Sequence, residues 1–414
     1  MPTTLGPRRH RVLFFGKDAS RGGTMRILSY VLRYIDQGKF EPQVVLRTGG
    51  ALLSEYRRQA TVHVYDERGG DSRLGAFANG RGFPKRLRRA ARRHRQRREI
   101  REGPRWVQGI IEEFNPDLVV HNYNARIRTF DGVADFRPSI QSLTLYGLSL
   151  ALFGEDESER IVKRAGHIMV EGTNVLDFLH GCVGVPLADM SICCMGIDET
   201  IRDEQLAIPD RVRRADLGIA GDDIVIGGCG TPNFIKGVDI WLRAAAILKE
   251  RHPELPLKFL WIGGTEVRFK TLYARSFLSL TKDLGLTDDV IYAGDQRAIY
   301  PYYDLCDIYT QTSRLDAFPH AILEFMSLGK PAVSFYEGVA AEDYAEGALI
   351  RVHAMSPKGL ADGIEPLLTD PEYRRKLGEA GRELVRKRFD AKKTIRDYEQ
   401  VLLSQLRIAD DSAR

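Results

Sequence analysis

Short apolar runs alternate along this chain with longer stretches in which apolar residues recur every three to four positions. Residues 11–15 (RVLFF) are one such run; a polar, glycine-containing turn follows, and 24–35 has helical periodicity, so the segment reads as strand, loop, helix. The same unit repeats, with strands predicted at 43–46, 61–65, 117–121, 139–145 and 167–170 and helices such as 105–114 between them. A second series, at 224–227, 257–262, 290–293, 308–310 and 332–335, follows a polar stretch at 199–222. Its runs are mostly apolar, as strands buried on both faces are. Two charged helices, 371–388 and 391–406, close the chain.

Alternation of this kind predicts an α/β architecture in which parallel sheets are covered by helices. A length of 414 residues exceeds what one core usually serves, which points to two domains. With the polar stretch at 199–222 as linker, the expected division is 1–200, 201–388 and a C-terminal helix, 389–414, packing on the outside, with a return to the first domain as one placement.

Composition narrows the class. No uncharged apolar run approaches the roughly 20 residues of a membrane span. The segment 1–10 lacks an apolar core of the secretory type, so a cytoplasmic location is expected. Five cysteines without metal-type spacing (Cys182, Cys193, Cys194, Cys229, Cys306) argue for reduced packing residues rather than disulfides or a zinc site. Net charge is only +5, but the run from Arg81 to Arg105 holds twelve Lys or Arg against Glu99 and Glu102. It reads as a solvated helix or as a face for an anionic membrane. Nucleic acid is disfavoured because no aromatic residue interleaves with the charges.

Open parallel sheets bind ligands at the carboxyl ends of their strands, so the strand-to-helix loops are where chemistry should lie. The strongest is 313–324 (SRLDAFPHAILE), which leaves a strand and opens a helix with Pro319 expected at its first position. Its carboxylates, Asp316 and Glu324, suit sugar or ribose hydroxyls, and the amides of Ala317, Phe318, Pro319's neighbours and His320 suit an anion. A second loop, 227–237 (GGCGTPNFIKG), carries Gly230 and Thr231 and delivers one cation, Lys236, just before a helix. A third, 16–24, has Gly22 and Gly23, which permit close backbone approach but do not form a dinucleotide fingerprint. His121 and Asn122 end a strand and are candidates on the acceptor side.

These residues resemble the retaining GT-B glycosyltransferases of family four, most strongly from 227 to 389, where Lys236-Gly237, the WIGG of 261–264, the 313–329 segment and Asp370-Pro371 through Phe389 look like that family's C-terminal domain. The resemblance implies two Rossmann-like domains whose parallel sheets face each other across a cleft. It implies that Glu324 holds the ribose hydroxyls, Asp316 and the amides of 317–320 the donor sugar, and Lys236 the diphosphate. Asp316 stands where the family usually has Glu. Thr231 stands where it has an arginine, and Tyr146 lies in the stretch where relatives carry a histidine near the reacting centre.

The activity so implied is sugar transfer from a nucleoside diphosphate sugar, UDP or GDP foremost, to a glycan, lipid-linked or small-molecule hydroxyl, with retention at the anomeric carbon. Catalysis requires no cofactor. It is expected to be metal-independent, since no Asp-x-Asp triplet occurs in the sequence. A lipid-linked acceptor would suit peripheral docking of the basic run at the inner membrane face. A nucleotide-sugar epimerase, or a degenerate member that binds glycan or nucleotide without turnover, is the alternative on the same architecture.

Overall fold

The computed structural model describes residues 8–20, 23–67, 85–122, 136, 138–143, 165–264, 272–316, 318–335 and 347–412. The chain divides into two compact units, one made of Met1–Glu171, Val175–Met195 and Ile395–Arg414, the other of Gly172–Asn174 and Gly196–Thr394. The stretch 199–222, expected as a linker, lies inside the second unit. There the Asp198 carboxylate accepts the Thr200 N–H at 3.0 Å and caps a helix at Glu199–Leu206. A helix this short, with Arg202 as its buried residue, shows no apolar periodicity and so reads as loop.

In the first unit, β1 (His10–Gly16), β2 (Phe40–Leu46), β3 (Thr61–Val64), β4 (Leu118–Asn122), β5 (Ser139–Leu143), β6 (His167–Val170) and β7 (Met190–Ile192) form one sheet in the order β3-β2-β1-β4-β5-β6-β7. Every pairing is parallel. Its helices include α1 (Gly23–Tyr34), α2 (Leu53–Gln59) and α3 (Lys85–Phe114). Val12 and Phe14 join a core on one face of the sheet, Leu13 and Phe15 a second core on the other. This two-sided burial is why β1 is apolar without a break from Val12 to Phe15. The helix expected at 105–114 runs back to Lys85, through Pro104. Glu99, Gly103, Val107, Ile110 and Phe114 are its buried stripe. Glu99 is tolerated there because the Arg47 guanidinium grips both carboxylate oxygens, at 2.7 and 3.0 Å.

After α4 (Thr173–Phe178) and α5 (Glu199–Leu206), the second unit builds β8 (Ile224–Cys229), α6 (Val238–Arg251), β9 (Leu257–Ile262), α7 (Leu272–Asp283), β10 (Val290–Gly294), α8 (Tyr300–Asp304), β11 (Ile308–Gln311), α9 (His320–Ser327), β12 (Ala332–Phe335), β13 (Ile350–Val352), α10 (Pro357–Thr369) and α11 (Pro371–Arg388). The six strands run parallel in the order β10-β9-β8-β11-β12-β13. Trp241 of α6 meets Trp261 of β9 edge-on at 5.2 Å in the core on one face. Phe325 of α9 stacks on Tyr309 of β11 at 4.4 Å on the other. The last helix, α12 (Ala391–Ser412), returns to the first unit. Its Ile395, Tyr398, Leu402 and Leu406 are buried with Val12, Phe14 and Leu28. In each sheet the strand order reverses at one central pair, β1 with β4 and β8 with β11, and a ligand crevice opens at the carboxyl ends of such a pair.

Candidate functional site

The carboxyl ends of β8 and β11 bring the two strongest loops of the sequence together. The Lys236 ammonium lies 2.6 Å from Asp316 Oδ2, an ion pair between residues 80 positions apart. Burial works to lower the lysine pKa, but the Asp316 carboxylate outweighs it and holds the amine above its ordinary value, charged at any physiological pH. Asp316 is itself buried, and its Oδ2 also accepts the Gln311 amide at 3.0 Å and the Ser313 hydroxyl at 3.2 Å. Gln311 is fixed in turn by the Tyr309 hydroxyl at 2.7 Å. Three donors thus converge on one oxygen, while Asp316 Oδ1 takes no hydrogen bond among the described residues. The Asn174 side chain donates to the Asp316 carbonyl at 3.0 Å. An ammonium has three N–H donors, so one goes to Asp316 and two are left for a ligand.

Glycines shape the cation's loop. Gly237 has φ +64°, and a Cβ there would lie 2.0 Å from the Thr312 carbonyl oxygen, so no other residue fits. Gly230, at φ +135°, abuts Gly263, whose own Cβ would sit 2.7 Å from the Gly230 carbonyl. The indole N–H of Trp261 donates to that same carbonyl at 2.9 Å. This is the structural reason for the WIGG sequence: tryptophan holds the first loop from below and glycine lets it approach. The Thr312 hydroxyl donates to the Lys236 carbonyl at 2.7 Å, and Asn233 Oδ1 accepts the Lys236 amide at 2.9 Å.

Glu324 is buried on α9, one helix past Asp316, and its Oε2 accepts the Tyr303 hydroxyl at 3.1 Å. Pro319 is the residue before the helix, with φ −77° and ψ 100°, and not its first residue; α9 begins at His320. The φ of Pro319 suits a helix but its ψ is extended, so Pro319 is the N-cap residue and the helix starts one position later than expected. Phe318 packs between Phe389 at 5.5 Å and the edge of His320 at 5.8 Å. Thr231 lies half-exposed in the loop between Gly230 and Lys236. Ala317 lies outside the described residues.

In the first unit, His121 and Asn122 occupy the carboxyl end of β4, beside the end of β1. His121 is buried and stacks on Phe15 at 5.6 Å, and Asn122 Nδ2 donates to the Thr24 carbonyl at 3.1 Å, tying β4 to the first turn of α1. Both are held by the fold. Gly23 is the first residue of α1, and a Cβ there would meet open space, so nothing in the packing demands glycine. Gly22 and Tyr146 lie outside the described residues, as does part of the run from Arg81 to Arg105. Among the described residues no cluster of three or more His, Cys, Asp or Glu is arranged to hold a metal ion. Nor is any described helix long and apolar enough to cross a membrane.

Gln311, Ser313, Asn174 and Tyr303 were not foreseen as site residues. Ser313 opens the acidic loop and Gln311 lies just before it, and both could have been suspected from that. Asn174 and Tyr303 carry no local signal, because only the folded chain brings them to Asp316 and Glu324.

Residues 210–384 match the family model described as glycosyl transferases group 1. A D-inositol 3-phosphate glycosyltransferase of Corynebacterium urealyticum is 30% identical over 177 residues, 41% of this chain and 40% of that protein. The lipopolysaccharide core biosynthesis glycosyltransferase LpsD of Rhizobium meliloti is 30% identical over 182 residues, 44% of this chain and 50% of that protein. The chain thus spans half or less of the length of these curated relatives. Among solved structures, Anabaena Alr3699/HepE in complex with UDP and glucose superposes with a TM-score of 0.73 at 18% identity, covering 96% of this chain and all of that one. The glycosyltransferase WaaG, involved in lipopolysaccharide biosynthesis, superposes with a TM-score of 0.68 at 14% identity over 94% of this chain and 99% of that one. The fold is that of the GT-B glycosyltransferases. The segment that matches the glycosyl transferases group 1 model contains Lys236, Asp316 and Glu324.

Proposed function

We propose that the protein is a retaining glycosyltransferase that moves a sugar from a nucleoside diphosphate sugar to an acceptor hydroxyl. The observation that carries this reading is the Lys236–Asp316 pair at the carboxyl ends of β8 and β11, with Glu324 on the helix that follows. Lys236, paired on one side, keeps two N–H donors for diphosphate oxygens. Asp316 Oδ1 is placed to accept a donor-sugar hydroxyl, and Glu324 the ribose hydroxyls. As the bond from the anomeric carbon to the diphosphate oxygen breaks, negative charge grows on that oxygen, and a cation already fixed in a partly buried site stabilises it without reorganisation. The acceptor oxygen then bonds to the same face of the anomeric carbon, its proton leaving with the departing phosphate oxygen. Retention follows. No step calls on a metal ion or a prosthetic group.

The nucleotide is UDP or GDP; UDP is the first to try, since the Anabaena neighbour was solved with it. A glycan or lipid-linked acceptor fits the likeness to LpsD. In α3, Arg93, Arg97, Arg101 and Arg105 are exposed at successive four-residue spacings, a stripe suited to an anionic membrane at the cytoplasmic face. Flotation with vesicles tests that docking: capture by phosphatidylglycerol and not by phosphatidylcholine vesicles at low salt is expected, and equal capture by both refutes it.

Thermal-shift and calorimetric titration with UDP, GDP, ADP and dTDP in EDTA tests the donor reading. Selective stabilisation by UDP or GDP is expected. No response to any nucleotide, with or without magnesium, would instead favour a degenerate binding member. Turnover of a sugar nucleotide with no acceptor and no hydrolysis would favour an epimerase.

A further inference from the structure

The Lys236 loop and the Asp316 loop come from different strands, and besides the Lys236–Asp316 pair and the Thr312 hydroxyl they are fastened by one residue that the donor chemistry does not use. Arg314 sits between Ser313 and Asp316. Its backbone N–H donates to the Ile235 carbonyl at 2.7 Å, and its Nη1 donates to the Phe234 carbonyl at 2.6 Å. The same guanidinium forks onto both oxygens of Asp239, in the first turn of α6, at 2.8 and 2.6 Å. Its plane lies over the Phe234 ring, 4.0 Å from the centroid. Arg314 therefore touches residues two before, one before and three after Lys236, on both sides of the bend at Gly237.

We propose that Arg314 is a positioning residue for the diphosphate cation, a strap that holds the Lys236 loop in register with Asp316 and so aims the ammonium at the diphosphate. The proposal rests on the donor reading given above for what Lys236 binds. Its physical basis is the rigidity of a two-pronged guanidinium–carboxylate grip, which fixes orientation as well as distance. Burial works to raise the Asp239 pKa, and the Arg314 guanidinium outweighs it and keeps the carboxylate below its ordinary value, so both partners stay ionised through neutral pH. The ring of Phe234 is 59% exposed although it belongs to a loop beside the site. Its stacking on the guanidinium explains why the loop keeps it there: the ring shields the fork from water on one side.

The strap predicts a loss specific to the diphosphate. Arg314→Ala should weaken UDP binding roughly tenfold or more, the scale of a misaligned charge-assisted contact, while uridine binding stays at the wild-type value. Arg314→Lys keeps the charge and loses the fork, so it should fall near Arg314→Ala rather than near wild type. Asp239→Asn, which breaks the grip from the other end, should give the same loss, and the double variant should lose no more than either single one. A merely structural arginine would lower the melting temperature and leave the ratio of UDP to uridine affinity unchanged, which overturns the proposal. A second readout needs no nucleotide. Acetylation of Lys236 by acetic anhydride, followed by mass spectrometry, should be faster in Arg314→Ala because the amine is no longer held against Asp316; an unchanged rate also overturns the strap. Failure of the wild type to bind any nucleotide would remove the donor reading, and the labelling would still decide whether Arg314 places the lysine.

Discussion

Lys236 and Asp316 show how a single pair sets both charge and position. The carboxylate raises the lysine pKa above its ordinary 10.5, so the pair's contribution to stability is complete below pH 10.5 and is lost as pH rises through the higher folded value. The gap in unfolding free energy between wild type and Lys236→Met should accordingly stay level from about pH 7 to about pH 10 and narrow above that. Chemical denaturation across that range measures it, and a gap that closes already near neutrality contradicts the assignment. For function, Glu324→Ala and Lys236→Ala should each abolish turnover with the melting temperature within a few degrees of wild type; wild-type rates in both would refute the site. Gly237→Ala is expected to behave differently. A methyl group meets the Thr312 carbonyl in a left-handed backbone, so both melting temperature and nucleotide binding should fall.

Strands and helices were mostly legible in the sequence, and the exceptions are instructive. The strands at His167–Val170, Leu257–Ile262 and Ala332–Phe335 lie where the apolar runs place them, because burial on both faces keeps all but one position of each apolar. β7 and β13 went unseen: three residues at the edge of a sheet, partly exposed, carry too little pattern. The first half of α3 lies in the basic run that reads as a solvated helix, but its union with 105–114 was not legible: its charge runs almost without apolar interruption, and a buried residue there, Glu99, is acidic and satisfied by Arg47. The helix α12 was visible as a helix, and a return to the first domain was one placement read for it, but its partners in that core were not legible, since nothing local says which apolar side chains Tyr398 and Leu402 meet. Leu402 is fully buried there. Leu402→Ala should cost about 2–5 kcal/mol by cavity formation, seen as an earlier unfolding transition. A change under about 0.5 kcal/mol would mean that this helix does not belong to that core.

At the scale of the whole molecule, two sheets with the same central strand order give the chain two crevices, and the donor site we propose lies in the second. A nucleotide that binds only the folded state stabilises it by mass action, about 2.7 kcal/mol at a hundredfold excess over its dissociation constant. Hydrogen exchange with saturating UDP should therefore show added protection centred on 229–237 and 311–327. Protection confined to the first unit would move the donor site out of the place assigned to it.

What the sequence by itself determined was the alternation of buried strands and amphipathic helices, the loops that leave the strand ends, and the residue types those loops carry, because hydrophobic period and turn chemistry act over a few positions. Only the tertiary structure decided that β8 lies beside β11, that Lys236 meets Asp316 across 80 residues, that Asn174 and Tyr303 complete the site, and that Arg314 binds its loop to Asp239. Strand order and side-chain pairing depend on which surfaces are buried together, and no local period records which of several apolar faces a given element will meet.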